Sequence, residues 1–121
     1  MRLLTFAALL ALASPALAAG PPQLQLRNAA DLVRVCSTPA SDEHFKNAIG
    51  FCHGVLAGAY RYYVAVTAKA DQYLCPPNPP PSRETVMDGF VAWAKAHPQH
   101  YDAPAVDTLF RYLGGAYPCN K

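Results

Sequence analysis

After residue 28 the apolar residues recur every three or four positions, and no stretch alternates convincingly with period two. This pattern predicts four helices and no sheet. Asn28 is placed as an N-cap, with Asp31 three residues on as an acidic variant of the capping box. Leu32, Val33, Val35 and Cys36 then form a short apolar face, so a first helix is expected over about 29–37. Pro39 ends it, because the residue before a proline is pushed out of the αR region. From about 42 to 70 the positions Phe45, Ala48, Ile49, Cys52, Val55, Leu56, Ala59, Tyr63 and Val66 step by three and four. Ser41 is the expected N-cap of this second helix, with Asp42 and Glu43 in the first turn, where the macrodipole favours anions. Ser82 caps a third helix with the stripe Val86, Met87, Phe90, Trp93 and Ala94, which stops at His97-Pro98. Asp102 is the expected N-cap of the fourth, with Pro104 in its first turn, where a missing N–H does no harm. Its apolar face is Ala105, Val106, Leu109, Phe110, Leu113 and Tyr117.

Two segments break the pattern. Gly50, Gly54 and Gly58 recur every four residues inside the second helix, although each costs up to about 1 kcal/mol relative to alanine. Their common face predicts a close backbone approach. A neighbouring helix of the same chain is the favoured occupant, and a dimer seam the second. Between the second and third helices, five of the six residues 76–81 are proline, which makes a stiff, extended connector.

The N-terminus reads differently from the rest. Met1–Ala18 has Arg2 as a positive start, Leu3–Leu12 as an apolar stretch, and Ala16-Leu17-Ala18 as an A-x-A cleavage site. It is expected to be a secretory signal peptide, too short to span a bilayer comfortably. Its removal leaves one domain, 19–121, with a periplasmic destination. The chain of 121 residues carries 10 basic and 8 acidic side chains, a net charge of +2. The basic residues of the domain are scattered singly. Nucleic-acid binding, which needs a concentrated positive face, is not expected.

Export makes the four cysteines, Cys36, Cys52, Cys75 and Cys119, read as two disulfides. There is no C-x-x-C, so thioredoxin chemistry and paired zinc knuckles are not indicated. Ile49 stands where a C-x-x-C-H haem attachment needs its first cysteine. Three pairings are possible. With alternating helix directions, the second and fourth helices end at the same end of a bundle, which favours Cys75–Cys119 and leaves Cys36–Cys52. The expected fold is all-α, a small four-helix domain stapled by these two bonds.

Catalytic candidates are thin. His44, His53, His97 and His100 are the groups that titrate near neutral pH. Pro98 breaks the helical spacing of His97 and His100, and a cystine at Cys52 leaves His53 without a nucleophile. No G-x-S-x-G, H-E-x-x-H or P-loop is present. No catalytic residue, metal or cofactor is expected. Aromatic residues offer more. Tyr60, Arg61, Tyr62 and Tyr63 are consecutive late in the second helix, with Tyr73 beyond, and tyrosine and arginine are enriched at protein–protein hot spots. Four consecutive helical positions cover most of a helix circumference, so they cannot all face one neighbour; a core role for Tyr60 and Tyr63 with Tyr62 on the surface is weighed evenly against an interface.

The ordered set LVRVC (32–36), CHGVLAG (52–58), Leu74-Cys75-Pro76, Ala96-His97-Pro98, Pro104-Ala105 and Ala116-Tyr117-Pro118-Cys119 resembles the Rap/Tai family of type VI secretion immunity proteins. The resemblance covers nearly all of 19–121. The proline run after Cys75 departs from the shorter C-L-P stretch usual in the family. The resemblance implies a small helical periplasmic protein, often a homodimer, that binds and blocks an injected peptidoglycan amidase. On this reading Tyr60, Arg61, Tyr62, Tyr63, Tyr73 and the 76–81 connector are contact candidates, and inhibition is by steric occlusion. The alternatives are a small periplasmic stress chaperone opened by acid, a structural helical protein with no effector partner, and a metal or catalytic protein centred on His53, His97 and His100.

Overall fold

The computed structural model describes residues 24–120, and the expected leader, 1–18, lies outside the described residues. Four α-helices follow one another: α1 (Ala29–Cys36), α2 (Phe45–Val66), α3 (Arg83–Ala96) and α4 (Ala105–Ala116). Short 3-10 turns occupy Lys69–Asp71 and Pro98–His100. The all-α class and both cystines are as the sequence predicts.

The smallest helix is the centre of the fold. α1 packs against all three others, and α3 also meets α2 and α4. Six of its eight residues are buried. Two turns of helix are too short to hold themselves in water, so neighbours must satisfy its ends. The Ala29 N–H donates to the Ala103 carbonyl at 2.9 Å and the Ala30 N–H to that of Tyr101 at 3.1 Å, both from the loop before α4. Asn28 Oδ1 accepts from the Asp31 N–H at 3.0 Å, the expected cap. At the other end Ser37 Oγ donates to the Val33 carbonyl at 2.6 Å and Thr38 Oγ1 to that of Val35 at 2.9 Å. Most of the orphan groups of both termini are thereby paired. Buried Asp31 accepts from Arg27 Nε at 3.0 Å and Arg34 at 3.3 Å.

Two helix starts differ from expectation. α2 begins at Phe45 rather than 42, and Ser41 does not cap it. The Asp42 carboxylate accepts from the His44 N–H at 2.7 Å, folding its own turn instead of the helix. α2 also ends at Val66, short of 70; Thr67 is extended, and the Val64, Val66 and Thr67 run is β-branched. α4 begins at Ala105 with Pro104 as its cap, not Asp102. A cap at 102 would require Ala103 to be helical, and Pro104 disfavours that.

Cys36–Cys52 joins the end of α1 to the middle of α2, with 5.2 Å between Cα atoms. Cys75–Cys119 joins the connector to the C-terminal segment at 4.8 Å. Beside it, residues 73–75 and 117–119 form a short antiparallel pair that periodicity does not reveal. The Cys75 N–H donates to Tyr117 O at 2.9 Å and the Cys119 N–H to Tyr73 O at 3.0 Å. Buried Tyr63 completes this corner, its hydroxyl accepting the Tyr73 N–H at 2.7 Å and the Leu74 N–H at 3.3 Å.

Two predictions follow from this scaffold. In the chain-entropy model, replacing Cys36 and Cys52 by alanine lowers unfolding stability by about 3 kcal/mol, and replacing Cys75 and Cys119 by about 4 kcal/mol. Urea unfolding of each double variant measures this; a loss under about 1 kcal/mol from either pair would show that its bond adds little constraint. The second concerns acid. The Arg27 guanidinium, helped by the Arg27 backbone N–H and by Arg34, holds the Asp31 carboxyl at about 2 although burial opposes it. A depressed folded-state pKa gives stability that is present above the unfolded value of 3.8 and lost as pH falls towards 2. Thermal melts at pH steps across that window are expected to fall steeply for the native protein and less steeply for Asp31→Asn. Equal slopes would contradict the pairing.

Candidate functional site

α2 turns its core stripe of Ala48, Cys52, Leu56 and Tyr63 inward, and at about 100° per residue the positions on either side of that stripe face two different surfaces. On one side His53, Ala57, Tyr60 and Arg61 face the proline connector and the start of α3. Together they enclose a cavity of about 350 Å³, also lined by Pro80, Pro81, Arg83, Leu113 and Tyr117. On the other side Gly54, Gly58, Tyr62 and Val66 line a shallow groove against Val106 and Phe110 of α4.

The tyrosine cluster is therefore divided. Tyr60 and Arg61 belong to the cavity. Tyr62 is 70% exposed beside the groove. Tyr63 is buried, its ring 5.4 Å from that of Phe110 and 5.2 Å from that of Tyr73. Tyr73 is half exposed. The division matches the core reading of the sequence for Tyr63 and Tyr62, whereas Tyr60 is only partly buried and packs at the core's edge.

The glycine face is a correction to the favoured expectation. A Cβ built at Gly50, Gly54 or Gly58 meets nothing within 4 Å, so among the described residues no helix packs closely against these glycines. Gly89 on α3 is the position where a missing side chain matters. A Cβ there runs into the Tyr112 hydroxyl, and the ring atom behind it lies 3.0 Å away. Burial, and then the Tyr117 hydroxyl, push the Tyr112 phenol up to about 12.

The histidines take separate places. His97 and His100 stack on Trp93, with ring centroids 4.4 Å and 5.7 Å from it, and His97 Nδ1 lies 2.7 Å from the Trp93 carbonyl. Among the described residues no group of three His, Cys, Asp or Glu side chains could hold a metal ion. His53 lines the cavity, and its Nε2 is buried without a hydrogen-bond partner among the described residues. No helix among the described residues is long and apolar enough to cross a membrane.

Fold and surface together describe a stapled helical module with two concave faces flanking one helix. The family model for Rap1a immunity proteins matches residues 28–119, and the chain belongs to that family. Comparisons with curated proteins and with solved structures give no match. Membership points to a role in immunity through binding a protein effector, in a family that is generally non-catalytic.

The glycines supply a test that separates packing from surface. Gly54→Ala and Gly58→Ala are each expected to raise unfolding stability by about 0.5–1 kcal/mol. Gly89→Ala is expected to lower it by about 1–3 kcal/mol, because the new methyl group overpacks Tyr112. Chemical denaturation of the three variants decides it; a loss at Gly54 or gain at Gly89 would contradict the packing described.

Proposed function

We infer that this is a periplasmic immunity protein that binds and inhibits a peptidoglycan amidase effector of a type VI secretion system by steric occlusion. The observation that carries this reading is the family match across 28–119, on a chain whose two cystines suit an oxidising compartment. Met1–Ala18 would export it as a signal peptide, leaving the single domain 19–121. Occlusion needs shape and hydrogen bonding over a surface of about 800 Å² per partner rather than catalytic groups. Exposed Tyr73 and, at the cavity, Tyr60 and Arg61 are the contact residues proposed for the amidase; Tyr63 supports them from beneath, and Tyr62 lies on the groove instead.

The groove at Gly54 and Gly58 is proposed to seat a second copy of the chain. It exposes Tyr62, Val66 and Val106 at 70%, 60% and 45%, and two bare glycines in a helix interior have no close neighbour among the described residues.

The experiment is direct. Purified oxidised protein is mixed with the amidase encoded beside its gene, and muropeptide release from purified peptidoglycan is followed. Nanomolar capture and loss of release at equimolar protein are expected. Full release in the presence of excess protein, with no complex on a sizing column, would overturn the reading.

A further inference from the structure

We propose that the cavity between α2, the proline connector and the start of α3 is a recognition pocket for a partner protein's loop that presents an apolar side chain beside a carboxylate. This rests on the reading that the chain binds a protein effector. The cavity, of about 350 Å³, is at the low end of the range for small-ligand sites, enough for one large side chain and its neighbour. Its floor is apolar, with Leu56, Val86 and Leu113 at the base and the rings of Tyr60 and Tyr117 among the walls.

The polar groups are few and of one kind. Arg61 and Arg83 line the cavity and are both exposed. Neither forms a salt bridge among the described residues, whereas Arg27 and Arg111 each hold an aspartate at about 3 Å. No carboxylate lines the cavity. Glu84 is next to Arg83, but its carboxyl is held below its ordinary range first by its own backbone N–H, then by Ser82, and only after these by His53 and Arg83. Two guanidinium forks above an apolar floor suit a carboxylate, which they can bind in bidentate fashion.

His53 is the independent observation. Its Nε2 is buried and has no hydrogen-bond partner among the described residues. Buried polar atoms are rarely left in this state, and a rotation of the ring that brings Nε2 to the cavity surface would let a ligand atom complete it. The pocket is also built to stay open. Pro76, Pro80 and Pro81 fix the backbone of one wall, and Cys75–Cys119 anchors the connector where it begins. A wall that is already ordered loses little entropy when it is occupied.

The test has two arms, both using the full oxidised domain. In the first, N-acetylphenylalanine and its uncharged amide are titrated while the arginine side-chain and histidine ring resonances are followed by NMR. The carboxylate is expected to shift Arg61, Arg83 and His53 and to bind at least tenfold more tightly than the amide, a preference lost in the Arg61→Glu/Arg83→Glu variant. Equal binding of both probes, or no shift at these three residues, would overturn the proposal. In the second arm, Arg61→Glu/Arg83→Glu is expected to weaken amidase capture more than tenfold, and the charge-matched Lys46→Glu/Lys95→Glu to leave it unchanged. Unchanged capture by the arginine variant would refute the pocket and leave the immunity reading standing. If the native protein captures no amidase, the immunity reading falls, and the probe titration still decides whether the pocket selects carboxylates.

Discussion

The cystine between Cys36 and Cys52 is the constraint on which the rest depends. α1 is eight residues long, touches every other helix, and is too short to persist alone. The bond fixes its C-terminal end to the middle of α2, where Cys52 is fully buried. Its N-terminal end is held by the carbonyls of Tyr101 and Ala103, which ties α4's approach to the same point. Thus α2 cannot shift without dragging the centre of the core. Both the cavity and the groove are built on α2, and their geometry follows from this attachment.

The second cystine does a different job. It closes the corner where the connector leaves α2 and the chain ends, alongside the paired backbones of 73–75 and 117–119. Tyr63 reaches into this corner with its hydroxyl and spends its acceptor capacity on two backbone N–H groups. The cavity wall made by the prolines is thereby held against α2. A small domain gains disproportionately from such closures, since net stability is only about 5–15 kcal/mol for domains of this size.

Much of this was legible in the sequence. Asn28 and Ser82 cap the helices they were expected to cap, because a short polar side chain before an apolar stripe has few other uses. The cysteine pairing followed from helix direction. Where local rules competed, the prediction chose wrongly. Ser41, Asp42 and Glu43 looked like a helix start, but Asp42 folds its own turn with the His44 N–H. Asp102 looked like a cap, but Pro104 forbids the helical residue that should follow it. The glycine repeat reported a bare face without reporting what covers it, since the pattern is the same for a neighbour inside the chain and for one outside it. The cavity was not legible at all. It needs residues from α2, the connector, α3 and the C-terminal segment, and no local pattern brings these together.

The measurement closest to the central claim is amide hydrogen exchange of α1 in the native protein and in Cys36→Ala/Cys52→Ala, which keeps Cys75–Cys119. The account predicts that Leu32, Val33 and Val35 exchange only on global unfolding when the bond is intact, and at least about tenfold faster once it is removed. Identical protection of these three amides in both proteins would mean that α1 is held by packing alone, and that the bond does not position α2.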